Sequence, residues 1–136
     1  LWHHPYGFGT LGYALPAAIG AAVGKPDDPI VVIVGDYGFQ YTLPELATAV
    51  ELNLSLPIVL WDNGKLKEIE DSMLSSRIAP NAVISKNPSF SKLAEAYGIA
   101  FTEPESIKDF QSAIGEAFSR CGPTLIYIKS EIDFQD

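Results

Sequence analysis

One cysteine, Cys121, stands in a chain of 136 residues. A lone thiol excludes an internal disulfide framework and any zinc site built on several cysteines. Beside Gly122 and Pro123, at an expected helix end, it reads as an inert packed thiol. Bases are scarce as well: 9 lysines and arginines face 17 acids, a formal charge of −8, and nowhere do they cluster. Electrostatics therefore argue against a nucleic-acid partner and against an anionic membrane surface. No apolar run approaches the roughly 20 residues that span a bilayer, and no basic start leads into an apolar stretch as in a signal peptide. A cytosolic domain is expected. An initial methionine is missing too: Leu1-Trp2-His3-His4-Pro5-Tyr6 runs straight into glycines with no strand before them, which points to a piece of a longer protein. His3 and His4 are adjacent, so their side chains diverge, and an exposed pair is the expectation.

What is present is apolar and ordered. With 47% hydrophobic residues the chain can bury a core of its own, as one domain over residues 1–136. "YALPAAIGAAVG", Tyr13 to Gly24, reads as a helix apolar nearly all round and hence enclosed, with Pro16 in its first turn. Ile30 to Val34 is a continuous apolar strand of the kind covered on both faces in a parallel sheet. Thr42 is placed to cap a helix from Leu43 to about Asn53, with Leu46, Ala47, Val50 and Leu54 near helical spacing. A second buried strand runs from Leu56 to Trp61 and is broken by Asp62-Asn63-Gly64. A short polar helix from Leu66 to Met73 leads into an irregular stretch with two prolines. Ser89 opens a further helix that Gly98 ends, and a short strand, Ile99 to Thr102, follows. A last amphipathic helix, Ser106 to Arg120, turns Ile107, Phe110, Ala113, Ile114, Ala117 and Phe118 inward, before a strand from Thr124 to Ile128. Strands alternating with helices of this length predict an α/β fold, an open doubly wound and mostly parallel sheet with helices on both faces.

Ligands of such sheets bind beyond the carboxyl ends of the strands, where Asp36 and Asn63 both fall. They lie 27 residues apart, one strand-helix-strand unit. One carboxylate and one amide oxygen, completed by a backbone carbonyl and phosphate oxygens, is a sensible magnesium set. Asp and Asn are also ordinary turn and capping residues at strand ends. Gly7-Phe8-Gly9-Thr10-Leu11-Gly12 matches the G-x-G-x-x-G of nicotinamide dinucleotide sites, with Asp36 as a possible ribose-binding acid. That fingerprint requires a strand feeding the glycines, and His4-Pro5-Tyr6 is a poor one. The simpler reading is a tight turn that lets a helix approach the sheet.

Three blocks, "GTLGYALPAAIGA", "GDYGFQYTLPELATAV" and "LPIVLWDNGKLKEI", together resemble the diphosphate-binding domain of thiamine diphosphate enzymes, the family of acetolactate synthases and 2-oxo acid decarboxylases. The shared motif is G-D-G followed, one strand-helix-strand unit later, by N-N. The likeness covers nearly the whole chain and is most specific from Gly9 to Ile69. It implies that Asp36 and the Asn63 side chain bind Mg2+, with the carbonyl of Lys65 as third ligand. Gly38 falls where a small residue contacts the diphosphate, and Leu11 where a bulky aliphatic residue bends the cofactor. Gly9 and Leu11 offer backbone groups to its pyrimidine, and Tyr37 and Leu66 complete the implied cofactor-binding set. The thiamine diphosphate itself carries the chemistry on a 2-oxo acid substrate.

The resemblance also implies partners. Relatives activate the cofactor with a glutamate from the pyrimidine-binding domain of a second subunit, so a homodimer or homotetramer is expected, and this piece should be inactive alone. Its surface should then include an apolar face that the full enzyme covers. Tyr37 stands where the motif has its second glycine, Asp62 where it has its first asparagine, and Lys65 and Lys67 where relatives have glycines. Tyr37 must therefore find a backbone angle open to a non-glycine residue or be strained. A degenerate noncatalytic module is the other reading that these departures allow. Glu68, Glu70 and Asp71 follow in the segment that shapes the substrate pocket in relatives. They suit a cationic, guanidino 2-oxo acid, or else form a solvated face paired with Lys65 and Lys67.

Overall fold

A computed structural model describes residues 2–84 and 86–130. The first half holds α1 (Ala14–Gly24), β1 (Val32–Gly35), α2 (Asp36–Tyr41), α3 (Glu45–Glu51) and β2 (Pro57–Asp62). The second holds α4 (Lys67–Ser75), α5 (Phe90–Tyr97), β3 (Ala100–Thr102), α6 (Ile107–Ser119) and β4 (Thr124–Lys129). Local chemistry sets several of these boundaries. Ser89 and Ser106 take extended backbone and accept from the amides of Lys92 and Asp109, capping α5 and α6. Gly98 closes α5 in the left-handed conformation.

The four strands are all parallel and lie in the order β1-β2-β4-β3. Period-two alternation gives the sheet two faces. Val32, Val34, Ile58, Leu60, Leu125 and Tyr127 share one face and pack with Leu15 and Ile19 of α1, Phe39 of α2, Leu46 and Ala49 of α3 and Phe90 and Ala94 of α5. Each fully buried Leu or Ile here contributes roughly 1.5–3 kcal/mol. The opposite face carries Ile126, packed under Ala113 and Ala117 of α6. The crossovers explain the split. β1 to β2, and then β2 past the β4 position to β3, step one way with their helices on the first face. β3 to β4 steps back, and a right-handed crossover in that direction must carry α6 over the other face.

That geometry corrects several expectations. β1 is not covered on both faces: Ile33 is 54% exposed and Val31 42%, because α6 lies over β4 and β2 and no described element reaches β1 from that side. Trp61, at the end of β2, is 43% exposed on the same face. α1 is not enclosed; Leu15, Ala18 and Ile19 face the core while Val23 is exposed. Thr42 makes no side-chain capping bond at α3, which begins after Pro44; it ends α2, and its hydroxyl has no partner among the described residues. Ala47 is exposed and Ala49 takes the core position instead, since α3 starts two residues later than the spacing suggests. Ile107, in the first turn of α6, is likewise exposed. Cys121 is exposed rather than packed, because the turn after α6 carries it outward. No helix among the described residues is long and apolar enough to cross a membrane.

Candidate functional site

β1 and β2 pair in register up to Gly35 and Trp61, so Asp36 and Asp62-Asn63 leave the sheet side by side at its carboxyl edge. Asp36 lies in no loop. Gly35 is extended, and the chain turns at once into α2 with Asp36 as its first residue, where a negative charge suits the helix dipole. Tyr37 and Gly38 are therefore helical, and Tyr37 is not among the residues with positive φ, so its substitution for glycine carries no strain.

Asp36 is 2% exposed. Its Oδ2 accepts from Asn87 Nδ2 at 2.6 Å, and the same nitrogen donates to Asp62 Oδ1 at 2.8 Å. Gln40 Nε2 donates to Asn87 Oδ1 at 3.0 Å and to the Asp36 carbonyl at 3.1 Å. Asp62 Oδ1 also receives the Gly64 amide at 2.9 Å, and Oδ2 receives the Tyr127 hydroxyl at 2.7 Å. Burial pushes the Asp36 carboxyl above its ordinary value; the Asn87 hydrogen bond opposes this and the Asp62 charge adds to it. A carboxylate held in that condition gains from a cation.

A cleft of about 830 Å³ opens at this edge. It is lined by Gly9, Leu11, Asp36, Tyr37, Gly38, Asn63, Lys65 and Leu66, so the eight positions singled out from the sequence are brought to one place. Gly12 makes the meeting possible. Its φ is +87°, and a Cβ there would stand 3.0 Å from Thr42 Cγ2 and 3.2 Å from Tyr41 Cβ, so only glycine lets this segment lie against the end of α2. At Gly38 a Cβ would meet Val34 Cγ2 at 3.4 Å and Leu11 Cδ2 at 3.9 Å, and its absence keeps the cleft floor open. Leu11 itself is 41% exposed.

The donors fit a hard divalent cation. Asp36 offers a carboxylate, Asn63 an amide oxygen that also accepts the Lys65 amide at 3.1 Å, and Lys65 a carbonyl. Among the described residues no group of three His, Cys, Asp or Glu is placed to hold a metal ion. The dinucleotide fingerprint lacks its context, for residues 2–6 form no strand ahead of the glycines. His3 and His4 are both exposed.

The acids of α4 divide. Lys65 pairs with Glu70 at 3.0 Å and Lys67 pairs with Asp71, whereas Glu68 lines the cleft. Sequence reasoning missed Asn87, Gln40 and Tyr127. Asn87 sits in the irregular stretch before α5, where no periodicity marks it, and only the tertiary fold brings it to Asp36.

Residues 1–128 match the family model described as thiamine pyrophosphate enzyme, C-terminal TPP binding domain. The chain is 46% identical over 129 residues to the "Probable 2-ketoarginine decarboxylase" of Pseudomonas aeruginosa, covering 94% of this chain and 23% of that protein. It is 37% identical over 128 residues to the acetolactate synthase large subunit of Cyanidium caldarium, covering 92% and 22%. Benzoylformate decarboxylase from Polynucleobacter necessarius has a similar fold, with a TM-score of 0.83 at 23% identity over 94% of this chain and 25% of that one. The chain thus spans about a quarter of the length of the curated relatives it matches.

Proposed function

Because the chain belongs to the thiamine pyrophosphate enzyme family, as its C-terminal TPP binding domain, we propose that it anchors the cofactor's diphosphate through Mg2+. The ion is held by the Asp36 carboxylate, the Asn63 side-chain oxygen and the Lys65 carbonyl. The observation that carries this is the meeting of Asp36, Asn63 and Lys65 with Gly9, Leu11 and Gly38 around one cleft at the strand ends. Gly38 leaves room for the diphosphate, Leu11 supports the bent cofactor, Gly9 presents backbone to the pyrimidine, and Tyr37 and Leu66 flank the metal. When bound, the cofactor supplies the electron sink for decarboxylating a 2-oxo acid.

The parent is a thiamine diphosphate-dependent, cytoplasmic 2-oxo acid decarboxylase or acetolactate synthase-like enzyme. It works as a homodimer or homotetramer in which a partner subunit's pyrimidine-binding domain completes the site. Residues 1–136 are one domain of it and do not turn over substrate alone. A cationic, guanidino 2-oxo acid is the substrate class. The 46% identity to a relative named for 2-ketoarginine supports this, as does Glu68, which lines the cleft while Glu70 and Asp71 are paired with Lys65 and Lys67.

Titration calorimetry on the full-length protein tests the reading. Thiamine diphosphate uptake should require Mg2+ and be lost in Asp36→Ala and Asn63→Ala. Preference for NAD would favour a nicotinamide site, and binding of neither would leave a noncatalytic module.

A further inference from the structure

Asn87 is 51 residues from Asp36 and 25 from Asp62, in neither strand nor helix, yet its amide is saturated. Nδ2 uses both hydrogens, one on each carboxylate, at 2.6 and 2.8 Å. Oδ1 accepts from Gln40 Nε2 at 3.0 Å. The amide orientation is fixed by chemistry, since reversing it would set a carbonyl oxygen against two carboxylates. Asp36, directly after β1, and Asp62, the last residue of β2, leave neighbouring strands side by side, so two carboxylates are brought together where burial weakens the solvation of Asp36. One neutral donor shared between them is what this structure supplies.

We propose that Asn87 is the positioning residue of the cation site: it ties the Asp36 and Asp62 carboxylates to a common nitrogen, so Asp36 holds one orientation before any cation arrives. This rests on the reading of Asp36 as a metal ligand. Without Asn87, Asp36 Oδ2 is left buried without that donor, and the carboxylates separate by rotating apart. Part of the binding free energy of the cation is then spent restoring the arrangement. Gln40 acts one step further out, by fixing the Asn87 amide. Neither residue touches substrate or cofactor, and neither is a catalytic residue.

The test measures the Mg2+ concentration needed for half-maximal thiamine diphosphate uptake by the full-length protein, followed by calorimetry rather than turnover. Asn87→Ala should raise it about 10- to 100-fold, the range for loss of a group that orients a metal ligand. Gln40→Leu should raise it less, in the same direction. In an Asp62→Asn background the Asn87→Ala factor should shrink, because the like charge that Asn87 restrains is gone. A residue that only anchors its loop gives one factor in both backgrounds, and that result overturns the proposal. So does an Asn87→Ala requirement within about twofold of wild type. If Asn87→Ala does not fold, Gln40→Leu decides, and an unchanged requirement there is fatal. No Mg2+-dependent uptake by the wild-type protein would instead bring down the metal-site reading and this inference with it.

Discussion

The hydroxyl of Tyr127 donates to Asp62 Oδ2 at 2.7 Å, joining the last strand to the end of β2 across 65 residues of sequence. Burial first, and then the bond to Asp62, pushes the Tyr127 hydroxyl well above its ordinary value. Tyr127→Phe leaves a carboxylate oxygen without its donor and should lower stability by about 1.5–3 kcal/mol in urea unfolding at neutral pH. The sign of the pH dependence follows. An unfolded tyrosine loses its proton near pH 10, while the folded one keeps it, so this contribution is complete below about pH 10 and is lost as pH rises toward the folded value. Wild-type stability should therefore fall more steeply above that point than stability of the variant.

Asp36→Asn should separate binding from stability. The carboxyl of Asp36 is raised mainly by burial, so its protonated form favours folding at acid pH and ionisation erodes that contribution as pH rises through the folded value. Asparagine mimics the protonated form and can still accept from Asn87. Without Mg2+ and cofactor at neutral pH, the variant should melt at or above the wild-type temperature. Adding both should raise the wild-type midpoint and leave the variant's unmoved, which differential scanning fluorimetry reads directly.

Gly12→Ala meets two obstacles, a φ of +87° and Thr42 Cγ2 at 3.0 Å, and should destabilise by about 1–3 kcal/mol while weakening cofactor uptake. Gly7→Ala meets only the first, with open space around it. It should cost about 1 kcal/mol. Chemical denaturation of the two variants checks the order.

Ile33 of β1 and Trp61 at the end of β2 leave an apolar strip on the sheet face that α6 covers only farther along. Residues 1–136 expressed alone should self-associate, and Ile33→Thr with Trp61→Thr should reduce that in sedimentation velocity runs. In the full-length protein the same pair should lower the unfolding midpoint, since there the strip is proposed to be covered.

Much of this was legible in the sequence because the signals were local. Continuous apolar runs marked β2 and β4, serine caps marked α5 and α6, and three ordered blocks marked the positions that meet in the cleft. α2 was not legible, because Gly35-Asp36-Tyr37-Gly38 is turn-forming chemistry that tertiary contacts convert to helix. The bare side of β1 was misread since an unbroken apolar run reports what a strand can bury, not what lies opposite it. Asn87 carried no signal; its importance lies wholly in acceptors far away in the chain.

β4 comes last in chain order among the four described strands, yet it occupies an interior slot between β2 and β3. A nascent chain that has emerged only as far as α6 already owns Asp36, Asn63 and Asn87, but it has a vacant lane in its sheet and no phenol for Asp62. The Asp62 end of the proposed cofactor site is thus complete only when that lane fills. Until then the open edges of its neighbours are the most aggregation-prone features of the half-made domain.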